Sequence, residues 1–102
     1  MKVLVTGANG YLGSLIIEFL EQKKINYTKL VRVPQDPNSH YFALGKELDP
    51  EAFVGADVLI HVAHDFDAIK WEDTYNSNVL GSVKLFNQAR MNGVKHIIFI
   101  SS

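Results

Sequence analysis

Apolar residues fall along this chain in short runs that predict strands, alternating with stretches of helical spacing. Residues 3–5 are apolar on both faces, as expected for a buried strand of a parallel sheet. Further strands are predicted at residues 27–32, 41–44, 57–63 and 95–102. Helical spacing covers residues 11–23 and resumes from about residue 75 to a turn at residues 92–93. This alternation predicts an α/β fold around a parallel sheet.

Local signals mark the ends of the helices. The first helix is expected to bury one apolar stripe, which consists of Leu12, Leu15, Ile16, Phe19 and Leu20. Asn26 is expected in the left-handed conformation after that helix. Asp49 is predicted to cap a short helix that begins at Pro50 and extends to Val54.

Three glycines, Gly7, Gly10 and Gly13, follow the first predicted strand at intervals of three residues. Gly7 lets the chain leave the strand in a tight turn, Gly10 lets a diphosphate approach the backbone, and Gly13 lets the next helix pack closely on the strand. The helix N-terminus adds free N–H groups and a positive charge of about half a unit. Strand, glycine turn and helix together predict a dinucleotide-binding βαβ unit. A glycine-rich turn without a ligand is the alternative.

The full segment, Val-Thr-Gly-Ala-Asn-Gly-Tyr-Leu-Gly, resembles the extended and atypical short-chain dehydrogenases/reductases, a group of NAD(P)-dependent epimerases, dehydratases and reductases. The resemblance runs through the whole chain and implies the N-terminal part of a longer protein. It implies a Rossmann-like three-layer fold with strand order 3-2-1-4-5, truncated after the fifth strand. The residues expected to bind the dinucleotide are Gly7, Asn9, Gly10, Tyr11, Leu12, Gly13, Arg32, Ala63 and Asn78.

Arg32 ends the second predicted strand, about 20 residues past the glycines, where NAD-preferring folds carry an acidic residue for the ribose hydroxyls. The run Leu-Val-Arg-Val-Pro resembles that of NADP-binding relatives. A guanidinium binds a 2′-phosphate with paired charge-assisted hydrogen bonds, whereas a carboxylate repels it. We therefore expect NADP to be favoured over NAD. A solvated arginine at a strand end is the alternative.

Three further positions are compared with the family pattern. The fourth strand, Asp-Val-Leu-Ile-His-Val-Ala, matches Asp-Val-Val-x-His-x-Ala, which implies that Ala63 lines the nicotinamide. Asn78 begins a match to Asn-x-x-Gly, in which the Asn helps to fix the active-site geometry; a capping or surface Asn is the alternative. Lys46 departs from the pattern, because relatives often carry an Asp there that contacts the adenine.

The resemblance assigns the reacting end of the site to Ser102, because relatives carry a Ser or Thr there that hydrogen-bonds the reacting carbonyl or hydroxyl. Their acid–base pair is a Tyr followed four residues later by a Lys, and none of the four tyrosines here has a lysine at that offset. A serine alone has no paired base for proton transfer. We therefore expect the cofactor half of an oxidoreductase or epimerase site for a nucleotide sugar or similar substrate, without turnover. The alternatives are a non-catalytic module for nucleotide sensing or assembly, and a remnant that binds nothing.

The predicted strand order leaves the fifth strand, with its run Ile-Ile-Phe-Ile, at an open edge of the sheet. An apolar edge strand presents unpaired backbone groups that favour pairing with another chain. We therefore expect a homodimer or other self-association through this strand.

Composition limits the remaining classes of function. Ten Lys and Arg residues against eleven Asp and Glu residues give a net charge of −1, which does not indicate a nucleic-acid partner. The chain has no cysteine, and the spacing of His61, His64, Asp65 and Asp67 does not fix a coordination geometry, so no metal site is predicted. The first strand leaves no room for a signal peptide and no apolar run reaches the length of a membrane span. We therefore expect a cytoplasmic protein.

Overall fold

The computed structural model describes residues 1–62 and 79–100, and within them five strands form one parallel sheet. The strands are β1 (Lys2–Thr6), β2 (Asn26–Val31), β3 (Ser39–Tyr41), β4 (Val58–Val62) and β5 (His96–Ile100). Helix α1 (Tyr11–Gln22) connects β1 to β2, a 3₁₀ turn (Pro50–Phe53) precedes β4, and helix α2 (Gly81–Met91) precedes β5. The strand order is β3-β2-β1-β4-β5, which confirms the predicted α/β fold and its topology.

Two apolar cores cover opposite faces of the sheet, because alternate residues of a strand point to opposite sides. Leu4 of β1 belongs to the core that contains Phe53 of the 3₁₀ turn and Leu85 of α2. Val5 belongs to the second core, which contains Leu20 of α1. The 3₁₀ turn and α2 therefore lie on one face of the sheet, and α1 lies on the other.

The apolar stripe predicted for α1 is only partly buried. Leu20 is buried and Ile16 packs against the core, but Leu12, Leu15 and Phe19 are exposed. The sequence prediction was wrong for these three because α1 contacts β1 and β2 through one side only, and the described residues place no other element over the rest of the stripe. Neither of the two helices described has the length and hydropathy needed to cross a membrane.

The turns agree in part with the sequence signals. Asp49 caps the 3₁₀ turn as predicted, since its Oδ1 accepts the N–H of Glu51 at 3.0 Å and Pro50 is the first residue of the turn. The left-handed residue after α1 is Lys24, with φ of 57°, whereas Asn26 is the first residue of β2. The assignment to Asn26 was therefore wrong, because the chain turns two residues earlier.

The third strand also lies earlier than predicted, at Ser39–Tyr41 instead of residues 41–44. Phe42 lies just beyond β3, where its N–H still donates to the carbonyl oxygen of Val31 in β2 at 2.8 Å and its side chain is buried in the core, so the pairing with β2 ends there. The segment that follows is anchored by Gln88 of α2, whose side-chain amide accepts the N–H of Leu48 and donates to its C=O, both at 2.8 Å. This pair holds the loop between β3 and the 3₁₀ turn against α2.

Candidate functional site

The candidate site lies at the edge of the sheet where β1, β2 and β4 end. The three strands are parallel, with Thr6 paired to Leu30 in β2, so their carboxyl ends meet at one edge. Gly7 directly follows β1, and Arg32 directly follows β2. The fold therefore brings together two residues that the sequence selected for separate reasons, at the edge where such sheets bind ligands.

Gly7 occupies a position that excludes every other residue. Its φ is +65°, and an added Cβ would lie 1.7 Å from the carbonyl oxygen of Val62 in β4. Both the left-handed backbone and the contact with β4 therefore require glycine. The Gly7 carbonyl oxygen in turn accepts the N–H of Gly10 at 3.1 Å, which closes the turn.

Gly13 and Gly10 differ in what surrounds them. An added Cβ at Gly13 would lie 1.9 Å from the Gly7 oxygen, so α1 begins in direct contact with the turn, and the close approach is to the turn more than to the strand. At Gly10 the nearest atom would be the Gly7 oxygen at 3.4 Å, an ordinary contact. Internal packing thus explains why residues 7 and 13 are glycines. It does not explain the glycine at residue 10, which is exposed to solvent.

Gly10 is the N-cap of α1 and has no side chain with which to cap it. Its φ of −81° and ψ of 174° are those of an extended N-cap residue, and no side-chain hydrogen bond caps the helix. Asn9, Tyr11 and Leu12 around it are exposed, Tyr11 to 84%. The first turn of α1 therefore presents N–H groups and the positive end of a helix at an open surface, an arrangement that fits a diphosphate.

Arg32, the residue directly after β2, is exposed. The ion pair found among the described residues joins Lys29 to Asp36, with Nζ and Oδ2 2.6 Å apart, and does not include Arg32. Lys46, which departs from the family pattern, is also exposed.

Three residues expected in the site, Ala63, Asn78 and Ser102, lie outside the described residues. Gly81, the last residue of the Asn-x-x-Gly match, is described. An added Cβ there would lie 2.7 Å from Leu44 Cγ and 3.0 Å from the backbone nitrogen of Gly45. Helix α2 therefore begins in close contact with the segment after β3.

A buried chain of hydrogen bonds behind the turn was not predicted from the sequence. Thr6 Oγ1 lies 2.7 Å from His61 Nδ1, and His61 Nε2 lies 2.8 Å from Ser82 Oγ. Thr6, His61 and Ser82 are all at least 96% buried. His61 is one of the four residues whose spacing did not predict a metal site, and in the structure both its ring nitrogens bond to hydroxyls of β1 and α2. A histidine inside an otherwise apolar strand was the available signal.

The surroundings of His61 keep it neutral. Its ring stacks on Phe99 and meets Phe86 edge-on, with both centroid distances 5.4 Å. Burial lowers the pKa of His61 to about 4, because it removes water from the charged imidazolium. At neutral pH the ring therefore carries one proton and donates one of its two hydrogen bonds.

A surface cavity of about 520 Å³ lies at the opposite edge of the sheet, where β1 and β2 begin. It is lined by Lys2, Glu21, Lys24, Ile25, Asn26, Tyr27 and Asn38. None of the residues selected from the sequence for dinucleotide binding lines this cavity. Residues at the cavity are therefore a control region in binding experiments on the site at the carboxyl ends of the strands.

Comparison with known proteins gives matches along almost the entire chain. The profile of the NAD dependent epimerase/dehydratase family matches residues 3–102. GDP-mannose 4,6-dehydratase of Yersinia enterocolitica is 27% identical over 93% of this chain and 32% of its own length. Uronate dehydrogenase of Pseudomonas putida is 30% identical over 99% of this chain and 40% of its own length. The chain thus spans about a third of the length of the curated relatives it matches.

A solved structure shows the same fold. MoeE5, in complex with UDP-glucose and NAD, aligns with a TM-score of 0.85 and 22% identity, covering 100% of this chain and 36% of that protein. At this identity the likeness is one of fold.

Proposed function

This chain belongs to the NAD dependent epimerase/dehydratase family, and on that premise we propose that it binds NAD(P) through the turn between β1 and α1. The observation that carries the proposal is Gly10, an N-cap without a side chain whose Cβ position is open. Gly7 and Gly13 are needed for packing, but packing does not require a glycine at residue 10. A ligand that must approach the backbone does require it.

Each part of the site has a proposed role in binding. The N–H groups in the first turn of α1 donate to the diphosphate, and the positive end of the helix stabilises its charge. Ala63 and Asn78 are proposed to lie towards the nicotinamide. When bound, the dinucleotide supplies hydride transfer, and the protein supplies binding and orientation.

We propose a nucleotide sugar, or a similar compound with a carbonyl or hydroxyl group, as the substrate of the complete oxidoreductase. Support comes from the relatives, since one is a GDP-mannose dehydratase and the structure of MoeE5 contains UDP-glucose with NAD. In this proposal Ser102 hydrogen-bonds the reacting group. Further polypeptide supplies the Tyr and Lys for proton transfer, because the 102 residues contain no Tyr-x-x-x-Lys.

A non-catalytic module for nucleotide sensing or assembly is the second candidate, and the absence of a Tyr-x-x-x-Lys pair from the 102 residues favours it. Both candidates use the same dinucleotide site. Supplying the C-terminal part of a relative together with a sugar nucleotide separates them, because turnover is expected only for the oxidoreductase.

NADP is proposed as the preferred cofactor, and replacement of Arg32 tests this together with binding itself. In calorimetric titrations the unmodified chain is expected to bind NADPH more tightly than NADH. Arg32→Asp should weaken NADPH binding roughly tenfold to a hundredfold, because a charge-assisted contact to the 2′-phosphate is replaced by repulsion. NADH binding should fall much less or improve.

Arg90→Asp is the matched control, because Arg90 is exposed in the last turn of α2, before β5 begins at the opposite edge of the sheet. It changes the net charge equally and is expected to leave the affinity for NADPH unaltered. Equal losses for both cofactors in Arg32→Asp would refute the preference. Failure of the unmodified chain to bind either cofactor would refute the proposed function.

Self-association through β5 is the proposed mode of assembly. β5 stands at the end of the strand order beside β4, and Ile97, Ile98 and Phe99 are 38%, 48% and 49% exposed. Sedimentation velocity at rising concentration is expected to show a dimer. Ile98→Lys should shift it towards monomer, because lysine on an edge strand opposes pairing, whereas Val54→Lys, at another exposed apolar residue, should not. A monomer at every concentration would contradict the proposal.

A further inference from the structure

The hydrogen-bonded chain of Thr6, His61 and Ser82 joins three elements that lie far apart in sequence. Thr6 is the last residue of β1, His61 lies in β4, and Ser82 is the second residue of α2. Thr6 directly precedes Gly7, the first residue of the turn proposed to bind the dinucleotide. The series of hydrogen bonds therefore extends from that turn, behind the carboxyl ends of the strands, to the beginning of α2.

Val62 contacts both this series of hydrogen bonds and the turn at Gly7. Its N–H donates to Thr6 Oγ1 at 2.9 Å. Its carbonyl oxygen is the atom against which Gly7 packs, 1.7 Å from where a Cβ would lie. A shift of Thr6 or His61 would move Val62, and Gly7 has no room to remain in place when Val62 moves towards it.

The surroundings of Thr6 favour one direction for the hydrogen bonds. Thr6 Oγ1 accepts the N–H of Val62, and the acceptor within reach of its single hydrogen, among the described residues, is His61 Nδ1. The tautomer with its proton on Nε2 lets the Thr6 hydroxyl donate to Nδ1, whereas the other tautomer leaves that hydroxyl hydrogen without an acceptor among the described residues. In the favoured tautomer His61 Nε2–H donates to Ser82 Oγ.

We propose that His61 is a positioning residue for the dinucleotide. Through Thr6 and Ser82 it holds the turn at Gly7 in a fixed position relative to the beginning of α2. The inference rests on the proposed function, since it concerns the same turn. It implies that removal of the Ser82 hydroxyl, which lies on α2 and outside the turn, weakens dinucleotide binding.

The test compares Ser82→Ala with Gln88→Ala on the same helix. Both remove a polar link from α2, but Gln88 bonds to Leu48 and is not part of the chain of hydrogen bonds. In samples that circular dichroism shows to be folded, Ser82→Ala should bind NADPH about fivefold more weakly, while Gln88→Ala should retain the affinity of the unmodified chain. Thr6→Val should weaken binding similarly, and Thr6→Ser, which keeps the hydroxyl, should restore it.

Two further measurements separate positioning from general destabilisation. Imidazole ¹⁵N shifts should show the proton of His61 on Nε2, and without ligand Ser82→Ala should shift the Gly7 amide resonance while Gln88→Ala does not. The double variant Thr6→Val, Ser82→Ala should lose less affinity than the product of the two single losses, because both substitutions interrupt the same series of hydrogen bonds.

The possible failures can be told apart. If the unmodified chain binds NADPH and folded Ser82→Ala binds equally well, the positioning role is wrong and the proposed function stands. Equal losses in Ser82→Ala and Gln88→Ala would also overturn the role, because they would indicate a general effect of loosening α2. Absence of NADPH binding by the unmodified chain would overturn both.

Discussion

Replacing Gly7 by alanine is expected to unfold the chain or displace its first turn, lowering the free energy of unfolding by about 2–5 kcal/mol or more. A non-glycine residue at the φ of +65° found here costs about 1–2 kcal/mol. The added Cβ would also lie 1.7 Å from a backbone oxygen of β4, which no side-chain rearrangement relieves, and overpacking of this kind costs about 1–3 kcal/mol or more. Such a sum approaches the whole stability of a small domain.

Two other glycines separate the causes. Gly55→Ala introduces only backbone strain, since its φ is +76° and an added Cβ meets nothing within 4 Å; a loss of about 1–2 kcal/mol is expected. Gly13→Ala introduces the collision with the Gly7 oxygen. Urea unfolding followed by circular dichroism should rank Gly7→Ala as the most damaging and Gly55→Ala as the mildest. Equal effects at Gly7 and Gly55 would show that the contact with Val62 is not as close as described.

Gly10→Asp is expected to raise stability and abolish dinucleotide binding. The extended φ and ψ of Gly10 suit a capping side chain, so an Asp carboxylate should accept N–H groups in the first turn of α1 and stabilise the helix by about 1 kcal/mol. The same carboxylate occupies the donors proposed for the diphosphate and repels it. We expect the affinity for NADPH to fall by at least about a hundredfold.

The opposite signs of the two effects make this variant informative. Thermal unfolding measures the gain in stability, and calorimetric titration measures the loss of affinity. Gly10→Ala is the control, because it adds a Cβ at an ordinary contact distance but no acceptor; it should lower affinity far less. If the Asp variant is stabilised and still binds NADPH normally, the first turn of α1 is not part of the dinucleotide site.

The topology of the sheet followed from the sequence because its causes are local or general. Apolar runs located four of the five strands to within two residues, and the family resemblance carried by the glycine motif implied their order. Gly7 was identifiable because a tight turn after a strand needs a left-handed residue, and the structure gives it that φ. Asp49 was identifiable because an N-cap followed by Pro50 is a signal contained in neighbouring residues.

Features that depend on distant partners were not predictable in this way. Leu12, Leu15 and Phe19 have helical spacing, but whether they are buried depends on which element packs over α1. The chain of Thr6, His61 and Ser82 needs contacts across 55 and 21 residues of sequence, which no local pattern indicates. Arg32 is placed at the correct edge of the sheet, yet its role depends on a ligand and remains a prediction.

Titration of the ¹⁵N-labelled chain with NADPH and NADH locates the dinucleotide site residue by residue, because each backbone amide reports separately. We expect saturable shifts concentrated at Gly10, Tyr11 and Leu12 and at Arg32, larger for NADPH at Arg32. The amides of Asn26 and Tyr27, which line the cavity where β1 and β2 begin, should stay unchanged. Shifts concentrated at that cavity, or no shifts at millimolar dinucleotide, would contradict a dinucleotide site at the turn between β1 and α1.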